Sequence, residues 1–487
     1  MDHVLALDAG TSGVRAISLA PSGRVVDVAY RELTQFYPRP GWVEHDATEI
    51  AALAESVLEE VALAVRERGD DIVALGITNQ RETVVALDRE SPAPLYRALV
   101  WQDRRGEERC ASLLAAGAQD RVRAVTGLVI DPYFSATKMA WLIEHGALEH
   151  AAAPTLATID TWLVWWLSGH ANGGVVATEP SNASRTLLMD LATRQWSSEM
   201  AELFGVDLGL LAPITASNAR RARVSADVVP ALADVEITGV LGDQQSALFG
   251  QSCFTPGMVK ATYGTGAFVL ANAGTTVPAV AEGLLSTVAW DDGEVVYAYE
   301  GSSFVAGAAV QWLRDEMGMI DRSSDLAGLA SSVPDSAGVV VVPAFVGLGS
   351  PFWRSDARGA ITGLSRGAGR AHIARALVEA LAYQVRAITD AFAAQGLELG
   401  ELRADGGAAA MDLLMQLQAT NSRVKVRRSA NLEATAHGAA ALAGEAVGLW
   451  RRDDLAQTWS SQADFTPEDP LFVDLGYEGW LRAAQRA

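Results

Sequence analysis

Twice along the chain a short apolar run stops at a glycine and threonine turn and resumes as a strand. Residues 4–7 (VLAL) end at Asp8, GTSG follows, and residues 14–19 (VRAISL) alternate apolar with polar. Residues 258–263 (MVKATY) lead through GTG into AFVLANA. This pattern predicts strand, tight turn, strand in both places. A turn at Pro21 to Arg24 and a further strand through VVDVAY extend the first copy. The order excludes two common phosphate-binding folds. A dinucleotide fold needs a helix directly after its glycines, and a P-loop needs Gly-Lys-Ser/Thr.

Each copy continues into a long stretch with apolar residues three to four apart, residues 47–68 in the first and 371–395 in the second. Mixed sheets flanked by helices follow, an α/β class. With 487 residues and 49% apolar content, the chain fills two cores better than one. The expected domains are residues 1–250 and 251–487. No low-complexity linker separates them, so the halves are expected to meet closely and to leave a cleft between them.

A net charge of -21 provides no basic field for a polyanion, so nucleic acid is an unfavoured partner and any phosphate needs a local, metal-assisted site. A neutral substrate is compatible with such a surface. Only three lysines occur, Lys138, Lys260 and Lys425. Two cysteines, Cys110 and Cys253, are too few for a disulfide framework and point to a reducing cytoplasm. The run after Asp2 and His3 fits neither a signal peptide nor a membrane span, and a soluble chain is expected.

Three constellations carry chemistry. In DAGTSGVR, Asp8 sits beside the backbone amides and hydroxyls of Gly10, Thr11, Ser12 and Gly13, a combination suited to Mg²⁺ and phosphate oxygens, with Arg15 within reach. An ordinary hairpin turn is the other reading. In LGDQQSALFG, Asp243 precedes a helical pattern, where it is either an acceptor for the proton of an attacking hydroxyl or a helix cap, with Gln244 next to it. In GITNQRETVVAL, Arg81 and Glu82 stand on a loop between two strand-like runs. A donor fork next to a charged acceptor can read the hydroxyls of a polyol, or the two form a surface ion pair. Trp101 in ALVWQDRRG and Tyr133 in DPYFSATK offer an aromatic wall for the carbon side of such a ligand, or simply core packing.

These segments, with FYPRPGWVEHD, IDTWLVWWL, SNASRTLLMD, ATYGTGAFVL, VAGAAVQWLRDEMG and VVPAFVGLGSPFW, resemble the FGGY carbohydrate kinases over essentially the whole chain, in the order of the glycerol-kinase branch. The resemblance implies two ribonuclease-H-like domains of the actin and hexokinase type with the active site between them. It implies transfer of the ATP γ-phosphoryl group, with Mg²⁺, to glycerol or a similar small polyol. Arg81, Glu82, Tyr133, Asp243 and Gln244 would bind the polyol hydroxyls, and Trp101 and Phe268 its carbons. Asp243 would be the base and, with Asp8, would hold the metal. Thr11, Ser12, Gly13 and Arg15, with Thr265, Gly307, Gln311, Gly407 and Met411, would form the nucleotide site. Other readings are a family member for a longer polyol or ketose, such as erythritol or xylulose, and an idle binding homologue. Assembly of identical chains is left open.

The chain departs from the pattern in three places. DAGTSGVR lacks the usual Gln after the Asp and is closer to the pentulose kinases. Met411 in DGGAAAMD stands where an adenine-contacting Asn is expected. The segment ITASNARRARVSADVV lacks the glycine-rich, Arg-containing loop that binds fructose 1,6-bisphosphate in some of these kinases, and Arg220, Arg221 and Arg223 read as solvated surface.

Overall fold

A computed structural model describes residues 1–431, 433–468 and 473–487. Its first sheet has six strands: β1 (Asp2–Ala9), β2 (Gly13–Leu19), β3 (Val25–Glu32), β4 (Asp71–Asn79), β5 (Ala222–Arg223) and β6 (Glu236–Gly242), in the order β5-β6-β4-β1-β2-β3. β1 pairs antiparallel with β2 and parallel with β4, which is parallel to β6. Helix α1 (Ala47–Glu67) starts where Asp46 accepts the backbone N–H of Thr48 at 2.9 Å, and buries Ile50, Ala54, Val57, Leu58, Val61 and Val65 against this sheet.

Helix α2 (Asp243–Gly250) leads out of β6 into the second half. There β7 (Val259–Tyr263), β8 (Ala267–Gly274), β9 (Leu285–Asp291), β10 (Val295–Ser303), β11 (Glu401–Asp405), β12 (Lys425–Ser429) and β13 (Ser461–Phe465) form a seven-stranded sheet, ordered β9-β10-β8-β7-β11-β12-β13. The order β10-β8-β7-β11-β12 repeats β3-β2-β1-β4-β6, with the same antiparallel hairpin and the same parallel neighbours. Helices α3 (Gly307–Asp315), α4 (Arg370–Ala394), α5 (Asp412–Ser422) and α6 (Ala434–Ala446) are among those that flank this sheet. α4 covers the apolar face of the sheet as α1 does in the first half.

The two halves share a third core. Val4, Ala6, Ile17 and Leu19 from the first sheet and Leu270, Trp290 and Ala298 from the second close on α2 and on the alanine-rich α6. α6, from the second half, lies on β4 and β6 of the first. A Cβ on Gly438 would collide with the carbonyl of Ser246, and one on Gly250 with that of Ala434, so α2 and α6 touch main chain to main chain. Strand alternation then decides what faces the cleft. On β1, Asp8 shares its face with Val4 and Ala6. Across β7, β8 and β10, Lys260, Thr262, Phe268, Glu300 and Ser302 share one face through direct cross-strand pairing.

Candidate active site

β1, β4 and β6 run parallel, and their carboxyl ends converge, Ala9 beside Asn79 and Asn79 beside Gly242. That is where a parallel sheet exposes a ligand crevice. Asp8, the Gln80–Glu82 loop and Asp243 are therefore brought together by strand register alone.

The Asp8 carboxyl makes no hydrogen bond to any described residue. Burial, reinforced by the nearby Asp243 charge, pushes its pKa up to about 7, against the opposing Arg15. Asp243 keeps some solvent access, with its Oδ1 3.2 Å from Arg81 Nε, and accepts the Gln244 N–H at 2.7 Å. Two carboxylates that repel each other across a phosphate-sized turn fit a divalent cation. No cluster of three or more potential ligands occurs among the described residues, so two carboxylates would hold a largely hydrated ion.

Arg81 and Glu82 are buried, not a surface pair. Arg81 donates to Glu300 through Nη1 at 2.6 Å and Nη2 at 2.9 Å, and Nη1 also reaches Gln245 Oε1 at 3.1 Å. Glu82 accepts Arg185 Nε at 2.6 Å, and Arg185 Nη2 lies 3.2 Å from Glu300. Burial alone would raise the Glu300 carboxyl, but Arg185 and Arg81 overcome it and hold it at about 2. Burial raises the Glu82 pKa against the same two guanidiniums. Glu82 has φ 60°, a left-handed backbone that a non-glycine residue keeps only when its surroundings hold it there. The buried Nε of Arg81 faces Asp243 Oδ1 as an ion pair and makes no hydrogen bond to any described residue.

The aromatic wall stands beside this quartet. The Trp101 and Tyr133 rings meet edge-on, 5.5 Å apart at 79°. Lys138 holds the turn under Tyr133, donating to the carbonyls of Pro132 at 2.9 Å, Tyr133 at 2.7 Å and Phe134 at 2.9 Å, while burial lowers its pKa to about 8. Lys260, equally buried and likewise lowered to about 8, donates to Gln244 Oε1 at 2.5 Å and Thr262 Oγ1 at 3.1 Å. Two of the three lysines thus serve as internal braces.

The residues expected on the phosphate side divide between the halves. Gly10 N–H to Gly13 O at 3.0 Å closes the first turn, leaving the Ser12 side chain exposed. Arg15 is not a free cation, because it pairs with Glu433 at the foot of α6. In the second half Thr265 O accepts from Ala306 at 2.8 Å and Ala308 at 3.1 Å, which seats the Gly264–Gly266 turn on the start of α3 beside Gly307, with exposed Gln311 one turn along. Gly407 opens a short 3-10 turn that ends at Met411, and Met411 packs against the second core. Asp412 is engaged by Arg428 at 2.7 Å.

One expectation is corrected. Arg221 is not solvated surface. Its guanidinium turns inward onto the carbonyls of Ala216, Ser217 and Ala219 in the curling loop before β5, adding to the bonds that the backbone N–H groups of Ala219 and Val240 already make to Ala216 and Ser217, and burial lowers its pKa to about 10. Arg220 and Arg223 remain exposed, both 3.0 Å from Glu236.

Residues 3–250 match the N-terminal domain, and residues 259–447 the C-terminal domain, of the FGGY family of carbohydrate kinases. The chain belongs to this family. Among FGGY relatives, a glycerol kinase of Albidiferax ferrireducens is 48% identical over 482 residues, 96% of this chain and 95% of its own. A glycerol kinase of Symbiobacterium thermophilum is 48% identical over 495 residues, covering 100% and 98%. The crystal structure of Plasmodium falciparum glycerol kinase with ADP superposes with a TM-score of 0.93 at 34% identity, covering 100% of this chain and 98% of that one. The family fold therefore coincides with the α/β pair of repeated sheets described above.

Sequence reasoning missed Glu300, Arg185 and Glu433. Glu300 had one signal, a lone acid inside the apolar strand VVYAYEGSS, which must be paired if buried.

Proposed function

We propose that this FGGY kinase is a glycerol kinase that forms sn-glycerol 3-phosphate and ADP in the cytoplasm, with residues 1–250 supplying the polyol site, phosphate loop and base, and residues 251–487 the nucleotide site. The carrying observation is the buried Arg81–Glu82 pair, its Arg81 Nε facing the Asp243 carboxylate, beside the Trp101–Tyr133 corner. A small triol presents hydroxyls on one side and carbons on the other, and this corner offers an acceptor, donors and an aromatic edge in the matching order.

In the reaction the terminal hydroxyl oxygen bonds to the γ-phosphorus, the bond to the β–γ bridging oxygen breaks, and the proton passes to an Asp243 carboxylate oxygen. Arg81 and Glu82 orient the other hydroxyls, Lys260 fixes the Gln244 amide beside them, and the turn amides near Thr11 to Gly13 and at Thr265 receive phosphate oxygens. Mg²⁺ held by Asp8 and Asp243 would neutralise charge on the phosphates. The 48% identity to glycerol kinases over the full length supports glycerol as the acceptor.

The test is ADP release from MgATP with glycerol, erythritol and xylulose in turn. The highest kcat/KM is expected for glycerol. A higher value for a longer substrate overturns the acceptor, and no acceptor-dependent release overturns the kinase reading.

A further inference from the structure

Six residues form a closed ring of hydrogen bonds between the aromatic wall and the phosphate turn. Trp101 Nε1 donates to Thr11 Oγ1 at 2.9 Å, and Trp101 N donates to Thr83 Oγ1 at 3.2 Å. Thr83 Oγ1 donates to Gln80 Oε1 at 2.9 Å. Gln80 Nε2 reaches the Gly10 carbonyl at 3.1 Å and His45 Nδ1 at 3.3 Å. His45 Nε2 meets Gln35 Oε1 at 2.8 Å, and Gln35 Nε2 returns to the Thr11 carbonyl at 2.7 Å.

Every proton in the ring is assigned by its neighbours. The Gly10 carbonyl can only accept, so the Gln80 amide turns its nitrogen there and toward His45 Nδ1, which must accept. The His45 proton is then on Nε2 and is donated to Gln35 Oε1, which leaves the Gln35 nitrogen to donate to Thr11. A flipped Gln35 amide would set its nitrogen against the His45 N–H and its oxygen against the Thr11 carbonyl, two donors at one place and two acceptors at the other. His45, Gln80 and Thr83 are fully buried, where an unmade bond is expensive. Burial alone pushes the His45 pKa down to about 4, which keeps the neutral ring the ring requires.

The ring holds the phosphate turn from both sides, at the Gly10 and Thr11 carbonyls and at the Thr11 hydroxyl, and its last member is the aromatic residue assigned to the polyol. We infer that His45, with Gln35 and Gln80, is a positioning residue that couples occupancy of the acceptor site at Trp101 to the geometry of the phosphate turn. The inference rests on the glycerol-kinase reading for the ligand. It adds a route by which the acceptor prepares the nucleotide site, so that phosphate contacts reach full strength only when a hydroxyl is present to be phosphorylated.

The experiment is a thermodynamic cycle on the full chain, measuring the affinity of a non-hydrolysable ATP analogue with Mg²⁺ by calorimetry, with and without saturating glycerol. Wild type is expected to show tightening by about fivefold or more, the lower end of usual coupling. His45→Phe cuts two bonds of the ring, and Gln35→Met cuts it at a half-exposed position that folding tolerates. Each is expected to bring the coupling to within about twofold of unity, with glycerol affinity changed by less than about threefold and with the double variant no worse than either single, because a ring cut once is already open. A wild type without coupling, or folded Gln35→Met with coupling intact, overturns the inference, as do losses that add in the double variant. If wild type turns over erythritol or xylulose instead of glycerol, the acceptor reading falls, and the same cycle run with that substrate still decides the ring.

Discussion

Arg81 and Glu300 are 219 residues apart in sequence and form a two-pronged ion pair with almost no solvent access, joining the polyol side of the cleft to the second sheet. Because Arg185 and Glu82 complete the group, four charges are buried together, with Arg81 Nε and both Arg185 Nη atoms making no hydrogen bond to the described residues. Removing one acid leaves two guanidiniums facing each other in a dry site. Glu300→Ala is therefore expected to lower unfolding stability by about 3–5 kcal/mol, as for other broken buried pairs. Denaturant titration checks it, and a loss below about 1 kcal/mol, the range of an exposed pair, contradicts the burial argument.

Asp243→Asn keeps the shape next to Arg81 but cannot take the hydroxyl proton. Turnover is expected to fall by about 10²–10⁴, the usual contribution of a positioned base. Glycerol affinity should change little, so the loss lies in kcat. Retention of a substantial fraction of wild-type kcat would return Asp243 to a helix-start role.

Met411 lies on the second core at the start of α5, and its nearest acid, Asp412, is held by Arg428. Neither residue is then an amide for the adenine edge. ATP, GTP and ITP are expected to differ by less than about tenfold in kcat/KM, and Met411→Asn should improve ATP by roughly three- to tenfold, the worth of one neutral hydrogen bond. Strong ATP preference unchanged by the substitution would remove Met411 from base choice.

Stability should fall in acid through His45. Its pKa drops from 6.5 to about 4 on burial, so between those values the unfolded chain binds a proton that the folded chain refuses. The contribution is complete above pH 6.5 and declines as pH falls toward 4, by about 3 kcal/mol in all. His45→Gln should flatten this slope relative to wild type in urea melts at pH 7, 5.5 and 4.5. Equal slopes in the two proteins would show that His45 titrates normally.

Fructose 1,6-bisphosphate is expected not to inhibit. Arg221 is spent on loop carbonyls, and Arg220 and Arg223 share Glu236. Inhibition at sub-millimolar concentration in the kinase assay would locate an anion site elsewhere.

The hairpin, its recurrence in the second half and the Arg81–Glu82 loop were legible because each is local. Period-two alternation and a glycine turn set a strand pair within twenty residues, and two adjacent charges between apolar runs stand out. The ring through Gln35, His45 and Gln80 was not, since nothing in the spacing of a Gln, a His and a Gln says that three loops will meet. Arg221 misled for a related reason: in a run of arginines, charge predicts exposure, but the cluster of loop carbonyls that captured one of them is invisible until the loop is folded. Glu433, which takes Arg15, sits 418 residues away from it.

The main-chain contact between α2 and α6 turns α2 into a lever. It begins at Asp243 and ends at Gly250, a span of about 10 Å at the helical rise. With Gly438 pressed against it, the joint is backbone on backbone, and the Ser246 side chain within it is pinned by donating to the Thr435 carbonyl at 2.6 Å, which leaves little to absorb a displacement. A methyl group added there acts as a wedge, and the tilt it imposes is delivered undamped to the carboxylate at the other end. Since a misplacement of about 1 Å costs on the order of 10²-fold in rate, the smallest residues in the chain set the tolerance to which the Asp243 carboxylate is aimed.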